Sequence, residues 1–147
     1  MKRVRPFLWF DEDAEEAARF YVSIFKNSRI IEAGEMVVTF ELDGQEVMAL
    51  NGGPHFRLNE AFSFFVSCET QAEVDYYWER LLEGGEESRC GWLKDKFGLS
   101  WQIVPDVLGE LMGDPDPAKS KRVFDAMMKM RKLEIDALRE AYEGRAT

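Results

Sequence analysis

Hydrophobic and polar positions follow the same order twice along the chain. In the first pass, an aromatic run ending at Phe10 precedes a stretch of helical spacing in which Phe20 and Ile24 lie one turn apart. In the second pass, Phe64 opens a similar run, and Tyr77 stands 57 positions after Phe20. The repeat indicates two copies of one supersecondary unit, because a single copy cannot bury its sheet face alone.

Each copy contains one predicted amphipathic helix. The first covers Asp13–Phe25 with Asp13 as its cap, and the second covers Thr70–Leu82. Thr70 and Glu73 have the spacing of a capping box. Each helix is expected to pack on the outer face of a mixed four-stranded sheet.

Strands are predicted where apolar residues alternate or run together. A continuous apolar run covers Val4–Phe10, an alternating one covers Met36–Leu42, and Asp43-Gly44 predicts a tight hairpin after it. Gly98, 54 positions beyond Gly44, predicts the matching hairpin in the second copy. The remaining predicted strands are Ile30-Ile31, Val47–Leu50, Arg89–Leu93 and Leu99–Val104.

The pattern becomes helical after Pro105. Asp116-Pro117 predicts the capped start of a helix, which carries an apolar stripe, and a last helix is predicted over Glu134–Tyr142. The stripe consists of Val123, Phe124, Met127, Met128 and Met130.

The predicted fold class is therefore α+β, with paired βαβββ modules and C-terminal helices. The first module covers residues 1–58, the second covers 59–105, and a helical extension covers 106–147, all within a single compact domain.

Composition narrows the possible partners. The chain has 147 residues and a net charge of −9, which argues against nucleic acid and anionic membranes, since both require a basic patch. No apolar run approaches the ~20 residues of a membrane helix, and the first residues lack a signal peptide's apolar core. Cys68 and Cys90 are too few for a disulfide framework. A cytoplasmic location is expected.

Several segments together carry a resemblance to a known family. The pattern resembles the vicinal oxygen chelate superfamily, which has the glyoxalase and bleomycin-resistance fold, and in particular its PhnB-like branch, labelled 3-demethylubiquinone-9 3-methyltransferase. That branch usually has a longer glycine-rich loop where Ile31 here reaches Met36 within a few residues, which predicts a more open cleft. The segments that carry the resemblance include Pro6–Asp11, Phe25–Ser28, Leu50–Pro54, Cys90–Asp95, Trp101–Pro105 and Asp114–Pro117.

The resemblance implies where metal ligands would lie in the superfamily's enzymes. The corresponding positions fall near Arg5 or Phe7, near Met48 or Leu50, near Phe64, and at Gln102. These residue types offer at most one weak neutral donor, whereas a catalytic metal normally takes three or more protein ligands. No metal and no cofactor is therefore expected. Methyl transfer is not expected either, because no glycine follows Phe10 to form a donor-binding turn.

Strand alternation predicts an aromatic and apolar lining for the cleft between the two copies. The alternative is that the same side chains form ordinary core. The predicted ligand contacts are Phe7, Trp9, Met48, Leu50, Asn51, Phe64, Trp92, Trp101 and Gln102, with Val66 and Val104 on the same faces as their neighbours.

Three residues are candidates for catalysis. His55 could act as a base near neutral pH, Cys90 could have a lowered pKa beside Arg89, and Gln102 could orient a carbonyl group. Each also has a simpler interpretation, as a solvated loop histidine, an inert strand cysteine or a core amide. The segment Lys94-Asp95-Lys96 is interpreted as a turn with solvated charges.

The favoured function is metal-free binding of a small apolar or aromatic molecule between the sheets. One alternative is an enzyme of the same superfamily, of lyase or isomerase type, using His55, Gln102 and Asn51 or a metal that the residue pattern does not reveal. A second alternative is an interaction domain acting through the methionine-rich helix. A homodimer is predicted, formed through Val123, Phe124, Met127 and Met128.

Overall fold

A computed structural model of the protein describes residues 3–144. The chain divides into two compact units, and the division falls between Glu60 and Ala61. Each unit contains one mixed four-stranded sheet, as the repeat predicts.

The first unit has the order strand, helix and three strands. Its sheet has the strand order β1-β4-β3-β2, in which β1 and β4 are parallel and the other pairs are antiparallel. The elements are β1 (Phe7–Phe10), α1 (Ala14–Ile24), β2 (Arg29–Ala33), β3 (Val37–Leu42) and β4 (Gln45–Asn51).

The second unit repeats this order and adds three helices. Its sheet has the order β5-β8-β7-β6, with β5 and β8 parallel. The elements are β5 (Ser63–Cys68), α2 (Gln71–Leu82), β6 (Glu86–Glu87), β7 (Trp92–Lys94), β8 (Ser100–Pro105), α3 (Asp106–Met112), α4 (Pro117–Met128) and α5 (Ile135–Tyr142).

Backbone geometry explains where strands end. Asp43 and Gly44 have φ of 49° and 80°, which is the left-handed pair that a two-residue hairpin between β3 and β4 requires. Cys90 and Gly91 have φ of 59° and 86°. The predicted strand over Arg89–Leu93 is wrong for this reason, since left-handed residues interrupt it and only Trp92–Lys94 remains extended.

Each helix covers one face of its own sheet. In β3, Val38 and Phe40 are fully buried, and α1 packs its buried Tyr21 and Ile24 on that side. Trp78 of α2 is buried in the same way over β7 and β8. Burial of a large apolar side chain contributes about 1.5–3 kcal/mol, so these helix faces account for much of the stability of each unit.

The two sheet-covering helices begin differently. Thr70 and Glu73 form the predicted capping box at α2. Asp13 precedes α1, but its side chain makes no capping hydrogen bond. Instead the Asn51 side chain, at the end of β4, accepts from the Ala14 amide at 2.9 Å. A strand residue therefore caps α1, which no pattern within the helix itself reveals.

The C-terminal helices have a small core of their own within the second unit. Val123 of α4 is fully buried there, and Met127 packs against the same core, whereas Phe124 and Met128 are 44% and 46% exposed. The predicted stripe is therefore split, and only part of it is available to a partner. The buried members of this core are Val107, Leu108, Leu111, Val123, Leu133 and Leu138.

Between Arg3 and Gly144, no helix has the length and apolar character needed to cross a membrane.

Candidate functional site

The second sheet has an aromatic face on the side opposite α2. The register pairs Gln102 of β8 with both Phe65 of β5 and Trp92 of β7. Directly paired residues point to the same side of a sheet, so these three side chains lie in one row. The Gln102 amide donates to the Ser63 hydroxyl at 3.0 Å, which fixes the side chain on that face.

The left-handed turn at Cys90-Gly91 attaches the C-terminal helices to this sheet. The Cys90 amide donates to the Met130 carbonyl and the Gly91 amide to the Arg131 carbonyl, both at 2.8 Å. Cys90 Sγ also lies 3.6 Å from Met128 Sδ. These bonds hold the end of α4 beside the aromatic row and place Met127 over it.

A pocket of about 490 Å³ lies between the aromatic row and the helices. Most of its lining is apolar or aromatic, and a few polar groups converge on it, which is the usual make-up of a small-molecule site. It is lined by Phe65, Cys90, Trp92, Gln102, Val104, Pro105, Asp106, Leu108, Gly109, Met112 and Met127.

Gly109 leaves the helical wall of the pocket bare. It lies inside α3, where glycine costs about 1 kcal/mol relative to alanine. A Cβ built at this position meets no atom within 4 Å, so no packing contact explains the glycine. The missing side chain leaves space beside Leu108 and Met112 that a ligand can use.

A buried carboxylate supports the strands behind the aromatic row. Asp95 is only 3% exposed, and its side chain accepts from the amides of Phe97 and Leu99 at 2.8 and 3.1 Å. It also accepts from the Trp101 indole N–H at 2.9 Å. The interpretation of Lys94-Asp95-Lys96 as a solvated turn is therefore wrong for Asp95, which organises the loop from β7 to β8.

The structure brings three of the candidate residues together in this pocket, namely Cys90, Trp92 and Gln102. Phe64 and Trp101 do not join them. They pair with each other across β5 and β8, their rings are 5.2 Å apart, and Trp101 is buried on the helix-covered side. The predicted common face of Phe64 and Gln102 is thus not observed, and Phe65 occupies that place.

The displacement of Phe64 has a simple cause. The N-cap of α1, Asp13, lies three positions after Phe10, whereas the N-cap of α2, Thr70, lies only two positions after Cys68. An offset of 57 aligns the two helices and leaves the two strands one residue out of step. A slip of one residue transfers every side chain of the strand to the opposite face of the sheet. Val66 therefore lies, like Phe64, on the face that α2 covers.

The remaining candidates lie in the first unit. Phe7, Trp9, Met48 and Leu50 share the face of the sheet that α1 does not cover, as the alternation predicts, because Phe7 pairs with Met48 and Trp9 with Leu50. Their role as ligand contacts stays a prediction.

The loop after β4 fixes Trp9 in place. The indole N–H donates to the Gly53 carbonyl at 2.9 Å, and Phe56 packs edge-on against the ring at 4.9 Å. His55 is exposed in the same loop. Asn51 uses its side chain to cap α1 and to donate to the Glu35 carbonyl at 3.0 Å, so both ends of its amide have structural partners.

Several residues of the pocket are not among the ligand contacts that the sequence predicts. Phe65 follows from shifting the strand alignment by one position, a signal that the unequal connections make visible. Gly109 inside an amphipathic helix was a further signal. Met112 and Met127 come from the extension, and nothing in the repeat predicts that it would cover the second sheet.

The donor set does not fit a metal ion. Within residues 3–144, no three His, Cys, Asp or Glu side chains come close enough to form a metal site. Among the described residues, those that line the pocket offer the carboxylate of Asp106, the thiol of Cys90 and the amide of Gln102. A thiolate is a soft ligand and the two oxygen donors are hard, so these groups favour different metals.

The two thiols differ in environment. Cys68 is fully buried at the end of β5, and desolvation, followed by the nearby charges of Glu73 and Asp106, raises its pKa to about 12. The Cys68 thiol is therefore neutral and unreactive near pH 7. Cys90 is partly exposed and lines the pocket, so it is the thiol that a pocket ligand can contact.

Two βαβββ units, each with a helix on one sheet face, define the glyoxalase class of fold. A glyoxalase-related enzyme from Fulvimarina pelagi is similar over 74% of this chain and 91% of its own, with a TM-score of 0.51 and 11% identity. The fosfomycin resistance protein FosX from Listeria monocytogenes, whose crystal structure contains Mn(II) and sulfate, covers 68% and 87%, with a TM-score of 0.52 and 17% identity. Both likenesses concern the fold alone.

The chain belongs to the 3-demethylubiquinone-9 3-methyltransferase family, whose model matches residues 2–104. A PhnB protein from Bacillus cereus, described as such a methyltransferase, is 32% identical, with a TM-score of 0.66 over 71% of this chain and 99% of its own. No curated protein matches the chain. The family match ends before α3, so the helical side of the pocket lies outside it.

Proposed function

We propose that the protein binds a small apolar or aromatic molecule in the pocket of its second unit. The observation that carries this proposal is a cavity of about 490 Å³ whose sheet wall is aromatic and whose helical wall is left bare at Gly109. Pockets of roughly 300–1,000 Å³ accommodate drug-sized molecules. Gln102 supplies an amide that orients a polar edge of the ligand.

Burial of apolar surface dominates the expected affinity. A planar bicyclic molecule that buries about 250 Å² of apolar surface gains roughly 6 kcal/mol at 25 cal/mol per Å². One neutral hydrogen bond from Gln102 adds about 1 kcal/mol net. Loss of translational freedom offsets part of this sum, so dissociation constants of about 10–100 µM are expected.

The proposal is one of binding rather than methyl transfer, although the family's name describes that activity. Glycine-rich turns after a first strand let a nucleotide-like donor approach the backbone. Here β1 leads into Asp11, Glu12 and Asp13, which contain no glycine and carry negative charge. The enzymatic alternative that used His55, Gln102 and Asn51 loses support. Gln102 lines the pocket but His55 and Asn51 do not, and the Asn51 side chain already has structural partners.

Titration of the full-length protein with N-phenyl-1-naphthylamine, a neutral dye that fluoresces in apolar surroundings, tests the proposal. Wild type should bind with a saturable signal. Gly109→Phe places a ring in open space on the pocket wall and should weaken binding at least about tenfold. Gly109→Ala is the matched control, because it stabilises α3 while leaving most of the volume free.

Two outcomes would contradict the proposal. Equal binding by wild type and Gly109→Phe, with unchanged circular dichroism, would place the dye elsewhere. Failure of the dye and of a chemically varied set of small aromatic compounds to bind or to raise the melting temperature would show that the pocket binds no such ligand.

We also propose that the protein is a cytoplasmic homodimer. The two free cysteines and the acidic composition support the cytoplasmic location.

The exposed face of α4 supports self-association, because Phe124 and Met128 lie there one helical turn apart. Light scattering at about 10 µM should give twice the chain mass, and Phe124→Glu should shift it to the monomer. Met36→Glu, at another exposed apolar residue, is the control, and a wild-type monomer would contradict the proposal.

A further inference from the structure

The charge of the pocket is one-sided. Among the described residues that line it, Asp106 is the only charged one. Within the described part of the chain, no hydrogen bond or ion pair engages the Asp106 carboxylate. It lies at the first position of α3, directly after Pro105, and it is exposed to solvent at the pocket rim. The negative charge is therefore available to a bound molecule.

The start of α3 does not cancel this charge. A helix N-terminus carries a partial positive charge of about half a unit, against a full unit on the carboxylate. α3 has only seven residues, and Asp106 occupies its first turn. The sum at this end of the pocket remains negative, which disfavours an anionic ligand.

The aromatic wall of the pocket, formed by the sheet, favours positive charge. Phe65 is 59% exposed and Trp92 is half-buried, so both rings present surface to the pocket. Aromatic faces attract cations through their quadrupole. The thioethers of Met112 and Met127 are polarisable and adapt to irregular shapes.

On this basis, and resting on the proposed function above, we infer that the pocket selects a planar organic cation: an aromatic ring system bearing a quaternary or protonated nitrogen. The rings of Phe65 and Trp92 hold the flat surface, and Asp106 neutralises the positive charge at the rim. The net charge of −9 adds a field that raises the local concentration of such cations.

The test compares ligands of the same shape and different charge by calorimetry on the full-length protein. N-methylquinolinium is the cation, 1-methylnaphthalene the neutral analogue and 1-naphthoate the anion. The cation should bind about tenfold more tightly than the neutral compound, through the ring faces and the rim carboxylate together. The anion should bind more weakly than both.

Replacing Asp106 tests whether its carboxylate is responsible for the preference for the cation. Asp106→Asn should weaken binding of the cation about threefold to fivefold and change binding of the neutral compound less than about twofold. Glu110→Gln is the matched control, because Glu110 is an exposed acid of the same helix that does not line the pocket. If Asp106→Asn is poorly folded, the salt dependence of wild type replaces it: 0.5 M NaCl should weaken binding of the cation and not of the neutral compound.

Failure of this inference differs from failure of the binding proposal. If the neutral compound binds at the pocket and the cation binds no more tightly, or if the anion binds best, the charge selectivity is refuted while the pocket stands. If none of the three binds to wild type, and none is displaced by or displaces N-phenyl-1-naphthylamine, the proposed function itself is refuted.

Discussion

Replacing Asp95 is the most direct way to test how the second sheet is built. In Asp95→Ala, three donors lose their acceptor: the amides of Phe97 and Leu99 and the indole N–H of Trp101. Leu99 and Trp101 are almost fully buried, so water cannot replace the carboxylate without opening the loop. Each unsatisfied buried donor costs about 1–3 kcal/mol.

The net change is smaller than the sum of these costs. A buried carboxylate is itself expensive to desolvate, and its removal recovers part of that penalty. We therefore expect Asp95→Ala to lower the free energy of unfolding by about 3–5 kcal/mol, against a total of about 5–15 kcal/mol for a protein domain. Asp95→Asn keeps one acceptor oxygen and should cost about 1–3 kcal/mol.

Urea denaturation followed by far-ultraviolet circular dichroism measures these values without relying on the tryptophan signal. Trp101→Phe removes the indole N–H together with part of the buried ring system. A double-mutant cycle with Asp95→Asn subtracts this loss of packing and isolates the interaction between the two side chains, for which a coupling energy of about 1–2 kcal/mol is expected. An Asp95→Ala variant that loses less than about 0.5 kcal/mol would refute the reasoning, since that is the size of an ordinary surface substitution.

Three further predictions address reactivity, pH and packing. At pH 8 a thiol reagent should modify Cys90 quickly and Cys68 only after unfolding, because Cys68 is fully buried and this burial raises its pKa to about 12. Cys90→Ser should abolish the fast phase of the reaction. The hydrogen bond with Lys132 lowers the pKa of Asp75, and the same bond raises the pKa of Lys132. Because Asp75 is 40% exposed, the ion pair should contribute only about 0.2–1 kcal/mol to the free energy of unfolding. This contribution should be lost in acid as pH falls through the lowered pKa of Asp75, and in base as pH rises through the raised pKa of Lys132. Lys132→Met should therefore lower stability mainly near neutral pH. Gly52→Ala would place a methyl group onto the Trp9 ring and should cost about 1–3 kcal/mol with altered tryptophan fluorescence; unchanged fluorescence and stability would contradict it.

Those features of the fold that depend on periodicity were predictable from the sequence. Two mixed four-stranded sheets, a helix on each, the Asp43-Gly44 hairpin and the capping box at Thr70 all arise from local patterns with known geometry. The family resemblance, carried by short motifs, is likewise confirmed.

What the sequence could not supply are features decided by a single residue of spacing or by contacts distant along the chain. One residue fewer between β5 and α2 exchanges Phe64 for Phe65 on the open face. Asn51 caps a helix 37 positions earlier in the chain. Asp95 is buried where its carboxylate accepts from the indole N–H of Trp101, and neither residue type alone indicates that bond. As residue types, Asn51 and Asp95 suggest a turn or a solvent-exposed site. Their structural roles become visible only once the pairing of the strands is known.

The boundary of the family match has a consequence for function. The match ends at residue 104, whereas Asp106, Leu108, Gly109, Met112 and Met127 all come later and form the helical wall of the pocket. Under the proposed function a ligand would contact both walls, so relatives that share only the sheet would share only half of the selecting surface. The activity in the family's name therefore does not transfer to this pocket by similarity. In the binding function proposed above, Gly109 would act through space and Asp106 through charge, and both lie on α3. Substitutions on that short helix therefore test the proposal in a part of the chain that the family match does not cover.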